Sequence, residues 1–385
     1  MVNKFDVFFE IAKKGSTNFG DLARLFSSQN VNKNSLYYHI NTLIKEGLII
    51  KEKNTLLSVH SEKNQILFSI LEYCINNNID YGFYLEESTV NFLENRFLDS
   101  KKEISVNTKT KIIHKLSKDS FLVLFTKKPY HFMIMYHTLF EQILSFFLNK
   151  KIEFDFYVNE KIISLNLSRI RKMKFKHQNE EEVKFLHTSL FLEGNLLTLR
   201  ETIKLLKDEE LEKGEKYKDV AEAKGYSNAI KYMQTVKKID INEIKKIHKI
   251  CMQHENFSGE FRKENVHIKN NPDFKTADFK DIETKLSKLI SEINSFQSKK
   301  VKNICDFASH IHNEFQHIHP FLDGNSRTTR LLSVWFFKKC NYDFTIPIGF
   351  TSIYMRLTKG HQKREDEKLS YLFFLILLYL STRFE

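Results

Sequence analysis

With 11 Gly and only 4 Pro in 385 residues, this chain has few places to turn tightly, and its apolar residues recur at three- and four-residue spacing over long stretches. Together these point to a mainly α-helical protein. A chain of this length outgrows one hydrophobic core, so two or three domains are expected. The balance of 42% hydrophobic and 28% charged residues is that of an ordinary globular protein.

Cys74, Cys251, Cys305 and Cys340 lie far apart with no CxxC pair, so neither a disulfide framework nor a zinc knuckle is indicated, which suits a reduced cytoplasm. The opening "MVNKFDVFFEIAKK" has a short apolar run, no basic leader and no small-residue cleavage site, so no secretory signal is expected. The apolar "LSYLFFLILLYLS" at 369 to 381 falls short of the roughly 20 residues that span a bilayer. It reads as a buried core helix, and no membrane partner is expected. A formal charge of +12 suits an anionic partner, though such an excess is common on surfaces that bind nothing in particular.

Three segments divide the chain. Residues 1–60 carry helical spacing over 4–14, 18–27 and 33–46, with Gly47 closing the third, and then β-rich flanks around Lys53 and Asn54. This order resembles the winged helix-turn-helix domains of prokaryotic regulators, in which the third helix enters the major groove and the hairpin touches phosphates. The resemblance places Asn32, Lys33, Asn34, Ser35, Tyr37, Tyr38 and His39 at the front of the third helix, with Lys51 and Lys53 on the wing. DNA is the expected partner. The other use of such a module is dimerisation or protein binding.

Residues 61–178 read as an α+β connecting or sensing domain. "SEKNQILFSILEYCINNN" is helical, "DSFLVLFTKKPYHFMIMY" gives two strands about Lys127 to Pro129, and "KIEFDFYVNEKIISLNL" alternates like a further hairpin. From 179 to 385 helix dominates, over 181–206, 217–236, 240–253, 279–297, 301–317, 325–339 and 366–383. One β-hairpin is expected among these helices, in "GEFRKENVHIKNNPDFKTADF" at 259–279.

"HIHPFLDGNSRTTR", at 317 to 330, gathers residue types that phosphate chemistry explains better than packing does. Gly324 permits positive φ, and a helix starting near Asn325 would aim free N–H groups at an anion before it. Arg327 and Arg330 share a helical face and can grip two phosphates with forked donors. Asp323 can hold Mg²⁺, an ion that takes one or two carboxylates and completes its shell with phosphate oxygens and water. His319 is the natural general base for a hydroxyl attacking phosphorus.

This stretch resembles the signature of Fic-domain proteins, His-x-Phe-x-(Asp or Glu)-Gly-Asn-Gly-Arg-x-x-Arg, at every fixed position but one, and the similarity extends over roughly 185 to 350. The resemblance implies an all-α helical core and a protein adenylyltransferase that moves AMP from ATP, with Mg²⁺, to a Ser, Thr or Tyr hydroxyl of a protein, itself included. His319 would then take the hydroxyl proton, Phe321 would anchor the loop, and Asp323 would bind the metal. Gly324, Asn325 and Ser326 would line the anion cradle, with Arg327 and Arg330 on the outer phosphates. The hairpin at 262–277 would be the flap that aligns the target. Ser326 stands where the family has glycine. Were left-handed φ required there, a side chain would cost about 1 kcal/mol.

Upstream, "HTSLFLEGNLLTLRET" at 187 to 202 fits the family's inhibitory pattern, with Ser189 and Glu193 four apart on one helical face. The resemblance pairs Glu193 with Arg330, which would neutralise the donor meant for the γ-phosphate and repel the phosphate itself. Some relatives use the same glutamate to orient a water that removes AMP. The alternatives are an ordinary helix ending at Gly194, a DNA-binding regulator whose Fic fold binds ATP only as a ligand, and a pure interaction module in which Ser326 has abolished nucleotide binding.

Overall fold

The computed structural model describes residues 2–27, 31–170, 179–207, 216–268, 271, 274–359 and 365–382. They form two compact units, Met1–Thr108 with Thr138–Glu153, and Lys109–His137 with Phe154–Glu385. The segment 61–178 is therefore divided between the units.

The first unit begins with α1 (Lys4–Lys14), β1 (Ser16–Asn18), α2 (Phe19–Ser27), α3 (Lys33–Lys45), β2 (Ile49–Glu52) and β3 (Thr55–Ser58). Asn3 and Asp6 close a capping box on α1, which satisfies N–H groups that a helix start leaves without partners. The expected hairpin forms about Lys53, at φ 53°, with Ile50 opposite Leu57. Sequence periodicity missed β1, a three-residue strand that pairs with β3 and makes the sheet order β1-β3-β2. Three residues are too few to show alternation. After the sheet come α4 (Glu62–Asn76), α5 (Tyr81–Tyr84) and α6 (Glu87–Phe97).

Most of α7 (Val106–Lys118) belongs to the second unit, as do β4 (Leu122–Lys127) and β5 (Tyr130–Ile134), which form the expected antiparallel pair. The chain then returns to the first unit for α8 (Thr138–Leu148), which packs on α4 and α6. The further hairpin expected in 151–167 is absent among the described residues. In its place stand irregular chain and α9 (Glu160–Asn166), because the Asn159 side chain accepts from Ile162 N–H and starts a helix. A cap signal outweighed a short apparent alternation.

The rest of the second unit is helical. A single helix was expected over 181–206, but two are found, α10 (Asn179–Phe191) and α11 (Leu199–Leu206). The break is written in the sequence. Gly194 takes φ 87°, with Asn195 N–H on Leu190 O and Gly194 N–H on Phe191 O, the paired bonds that end a helix on a left-handed residue. Thr198 and Glu201 then open α11 with a capping box. There follow α12 (Tyr217–Met233), α13 (Ile241–Cys251), α14 (Ile282–Ser295), α15 (Val301–Ile318), α16 (Asn325–Lys339), α17 (Thr351–Lys359) and α18 (Asp366–Thr382).

α15 packs between α16, α14 and the apolar α18, which is buried at every position from Leu369 to Leu380. Among the described residues no helix is long and apolar enough to cross a membrane. Between α13 and α14 the expected β-hairpin has two facing arms but no strand ladder among the described residues. Side chains join the arms instead. Thr276 Oγ1 donates to Val266 O, and Asn265 Oδ1 accepts from Phe279 N–H.

His137, His187 and His248 are buried in this unit, and burial pushes them down to about 3, 4 and 4 respectively. Unfolded, each titrates near ~6.5. Between about pH 6.5 and 4 the unfolded chain therefore binds protons that the folded chain refuses, so stability is full above that window and falls as pH drops through it. Asp343, pushed up to about 6 by burial, works in the opposite sense and offsets one of the three. Thermal melts of the full chain should show a lower Tm at pH 5 than at pH 7.5, with net proton uptake on unfolding by calorimetry. A flat or rising Tm on acidification would contradict the neutral burial of these imidazoles.

Candidate active site

His319 ends α15, and Gly324 precedes the first residue of α16, so the motif is a short loop joining two packed helices. Loop shape is set by groups that do no chemistry. Asn325 Oδ1 accepts from Phe321 N–H at 3.0 Å, and its Nδ2 donates to Phe321 O at 2.8 Å. Phe321 is fully buried and stacks on His248 with ring centroids 3.6 Å apart. His248 Nδ1 accepts from Gly259 N–H, which leaves its Nε2–H to donate to Asp323 O at 2.9 Å. Two main-chain contacts thus fix the tautomer of this neutral imidazole. Gly324 takes φ 77°, and a Cβ there would lie 2.8 Å from the Met252 side chain and 3.0 Å from His248 Nε2.

A second brace is Arg262, buried at the foot of the 262–277 segment. Its Nε donates to His319 O at 2.7 Å, and its Nη2 donates to Ala277 O at 2.5 Å. Its own N–H donates to Pro320 O at 3.0 Å. His319 adopts left-handed backbone, φ 48°, and Arg262 holds the carbonyl of that strained residue. The imidazole Nδ1 lies 3.3 Å from Gln316 O, an atom that can only accept. This contact assigns the proton to Nδ1 and leaves Nε2 as the basic nitrogen.

Among the described residues Gly324 offers α16 no side-chain cap, so the first-turn N–H groups face the space before the helix, as an anion site needs. Ser326 lies inside α16 with helical backbone and is not among the positive-φ residues. The strain expected of a side chain there does not arise, because the left-handed position of the loop is Gly324.

Arg330, 1% exposed, donates from Nε to Ser189 Oγ at 2.8 Å and from Nη2 to Ser189 O at 2.9 Å. Glu193 Oε1 forms an ion pair with Nη2 at 2.9 Å. Burial works to lower the arginine pKa, yet Glu193, Tyr354 and Tyr226 together raise it. The expected shared helical face is not what joins them: Ser189 lies near the end of α10 and Glu193 in the turn beyond it, and both reach one guanidinium. Arg327, 5% exposed, lies 3.1 Å from Asp323 Oδ2 and 3.5 Å from Glu222 Oε1. Arg327 Nε and Arg330 Nη1 are buried without a hydrogen-bond partner. A phosphate oxygen is the natural acceptor for such donors.

Asp323 is 64% exposed in its side chain and pairs with Arg327. It fits a Mg²⁺ ion held jointly with nucleotide phosphates, since that ion needs few protein carboxylates. His248, Arg262 and Glu222 escaped the sequence reading. Each is distant from the motif in the chain, and only Gly259-Glu260-Phe261-Arg262, opening the expected hairpin, hinted that one of them mattered.

In the first unit the residues proposed for DNA divide. Asn32 caps α3 by accepting from Ser35 N–H, Ser35 Oγ lies 3.3 Å from His39 Nε2, and Tyr37 stacks on Phe19 at 3.9 Å. Lys33, Asn34, Tyr38, Lys51 and Lys53 are exposed.

Residues 238–337 match the Fic/DOC family. The protein adenylyltransferase Fic of Drosophila melanogaster is 30% identical over 165 residues, which are 40% of this chain and 32% of that protein. The Drosophila persimilis protein of the same name is 29% identical over 175 residues, 43% of this chain and 32% of its own length. The chain thus spans about a third of the curated relatives it matches. Among solved structures, Fic-1 from C. elegans aligns with TM-score 0.48 at 13% identity, covering 84% of this chain and 92% of that one. A Fic family protein from Desulfovibrio desulfuricans G20 aligns with TM-score 0.48 at 17% identity, covering 60% and 76%. The family match contains the whole signature, 319–330, and ends within α16.

Proposed function

We propose that this chain is a protein adenylyltransferase held at rest by Glu193, which moves AMP from ATP to a Ser, Thr or Tyr hydroxyl of a protein, itself included. The observation that carries the reading is the buried Arg330 with Glu193 at 2.9 Å and one guanidinium nitrogen still unpartnered. Glu193 occupies the donor that a γ-phosphate would use, and its charge repels that phosphate.

With the glutamate displaced, the first-turn amides of α16 and the side chains of Arg327 and Arg330 would hold the polyphosphate. The target hydroxyl oxygen would bond to the α-phosphorus while the bond from that phosphorus to the bridging oxygen breaks. Pyrophosphate leaves with the electron pair, and His319 Nε2 takes the hydroxyl proton. Mg²⁺, held by Asp323 and the phosphates, would neutralise charge on the leaving group. Ser326, in the first helical turn, would add its N–H to the cradle. The same Glu193 carboxylate could orient a water for removal of AMP, which makes reversal part of this reading.

A second activity is favoured by the exposed Lys33, Asn34, Tyr38, Lys51 and Lys53 in the first unit. Their donors suit DNA phosphates and base edges, so the chain would act as a DNA-binding regulator through a winged helix. Dimerisation is the competing use of that unit.

Incubation of the purified chain with labelled ATP and Mg²⁺ tests the enzyme. Glu193→Gly should raise AMP transfer on the order of tenfold, and His319→Ala in that background should lower it by about a hundredfold or more with the fold retained. Equal transfer by wild type and Glu193→Gly would remove the inhibitory role, and no labelled protein from either would leave ATP as a ligand only.

For the first unit, titration with a mixed-sequence duplex should give affinity that falls linearly on a log–log plot against salt. Lys33→Ala with Lys51→Ala should flatten that slope. Absence of binding at low salt would return the unit to dimerisation.

A further inference from the structure

Besides Glu193, a second half-buried carboxylate from outside the signature touches it. Glu222, on α12, is 12% exposed in its side chain and commits both oxygens. Oε1 lies 3.5 Å from Arg327 Nη1 and 3.7 Å from His254 Nε2, and Oε2 accepts from Asn195 Nδ2 at 3.0 Å.

Among the described residues Arg327 has one other counter-charge, Asp323, which the proposed metal would also engage. Asp323 Oδ1 accepts from Gly324 N–H at 2.6 Å, and its Oδ2 takes Arg327 Nη2 at 3.1 Å. A cation on Asp323 would draw on the same carboxylate and repel the guanidinium, so the hold of Asp323 on Arg327 would weaken. A guanidinium as buried as Arg327 is strongly disfavoured without an anionic partner. Glu222 is half-buried and meets the other terminal nitrogen of that guanidinium, Nη1.

We infer that Glu222 is the positioning residue for Arg327. It holds the guanidinium for the polyphosphate and so releases Asp323 to bind the cation. Asn195 fixes the second oxygen of Glu222 and thereby the plane of the carboxylate. The inference rests on the adenylyltransferase reading. It adds a division of labour between two carboxylates, one for the arginine and one for the metal.

Removing the Glu222 charge should throw Arg327 back onto Asp323, so metal use and nucleotide binding should weaken together. A merely structural role would not move the metal requirement. Glu222→Gln, made in the Glu193→Gly background, should raise KM for ATP by about tenfold. The Mg²⁺ concentration for half-maximal transfer should rise with it, and kcat should fall by less.

The ATP·Mg²⁺-induced rise in Tm should shrink in parallel. The double variant with Arg327→Ala should be no worse than Arg327→Ala alone. Should Glu222→Gln fold poorly, Asn195→Ala frees only Oε2 and should shift the same quantities in the same direction by less. An unchanged KM and Mg²⁺ requirement in a folded Glu222 variant, or losses that add to those of Arg327→Ala, would overturn the assignment. If the Glu193→Gly parent binds ATP·Mg²⁺ but transfers nothing, the adenylyltransferase reading falls while the Tm shifts still decide the role of Glu222. A parent whose Tm does not respond to ATP·Mg²⁺ would overturn both.

Discussion

The buried guanidinium of Arg330 sets terms for everything around it. An unpaired charge in such surroundings costs several kcal/mol, so the chain must bring acceptors to it from distant sequence. It does so with the end of α10. Ser189 supplies a hydroxyl and a carbonyl, and Glu193 supplies the charge. Tyr226 on α12 bonds the same hydroxyl at 2.9 Å, so three helices meet at one cation. Losing one partner of such a pair typically costs about 3–5 kcal/mol. A phosphate is a group that offers such a cation both charge and acceptors.

Legibility in the sequence followed the range of the interactions. The helices of 1–60 and most of those after 216 could be read from spacing, because burying one face of a helix leaves a local trace. The signature was readable for the same reason, since Asn325 and Phe321 bond each other within five residues. Local signals also explain two misses that were avoidable. Gly194 followed by Asn195 is a helix stop, and Thr198 with Glu201 is a capping box; both were present in 181–206 and were overridden by the continuing apolar rhythm. Asn159 announced a helix where alternation suggested strands.

Other features left no local trace. His248, Arg262 and Glu222 earn their places through contacts reaching from about 57 to 105 residues along the chain, and residue type alone does not single them out. The 262–277 segment looked like a hairpin because Val266, His267 and Ile268 precede an Asn-Asn-Pro turn. Its arms do face each other, but Arg262, Asn265 and Thr276 occupy the groups that would have joined them. Main-chain pairing cannot be inferred from strand propensity when side chains compete for the same acceptors.

A division between holding and reacting groups runs through the loop. Asn325, His248 and Arg262 spend their side-chain polar atoms chiefly on the main chain, and Gly324 is fixed by its left-handed backbone and by the contact a Cβ would make. None of those atoms remains to bind a ligand. Among the described residues the donors left over are the first amides of α16, Arg327 Nε and Arg330 Nη1, all within the first two turns of one helix, with His319 at the other end of the braced loop. Attack on phosphorus needs little more from a protein than charge and alignment. A loop braced by non-reacting side chains supplies alignment before any ligand arrives, so the ordering cost is met during folding and binding energy is left for the charged contacts.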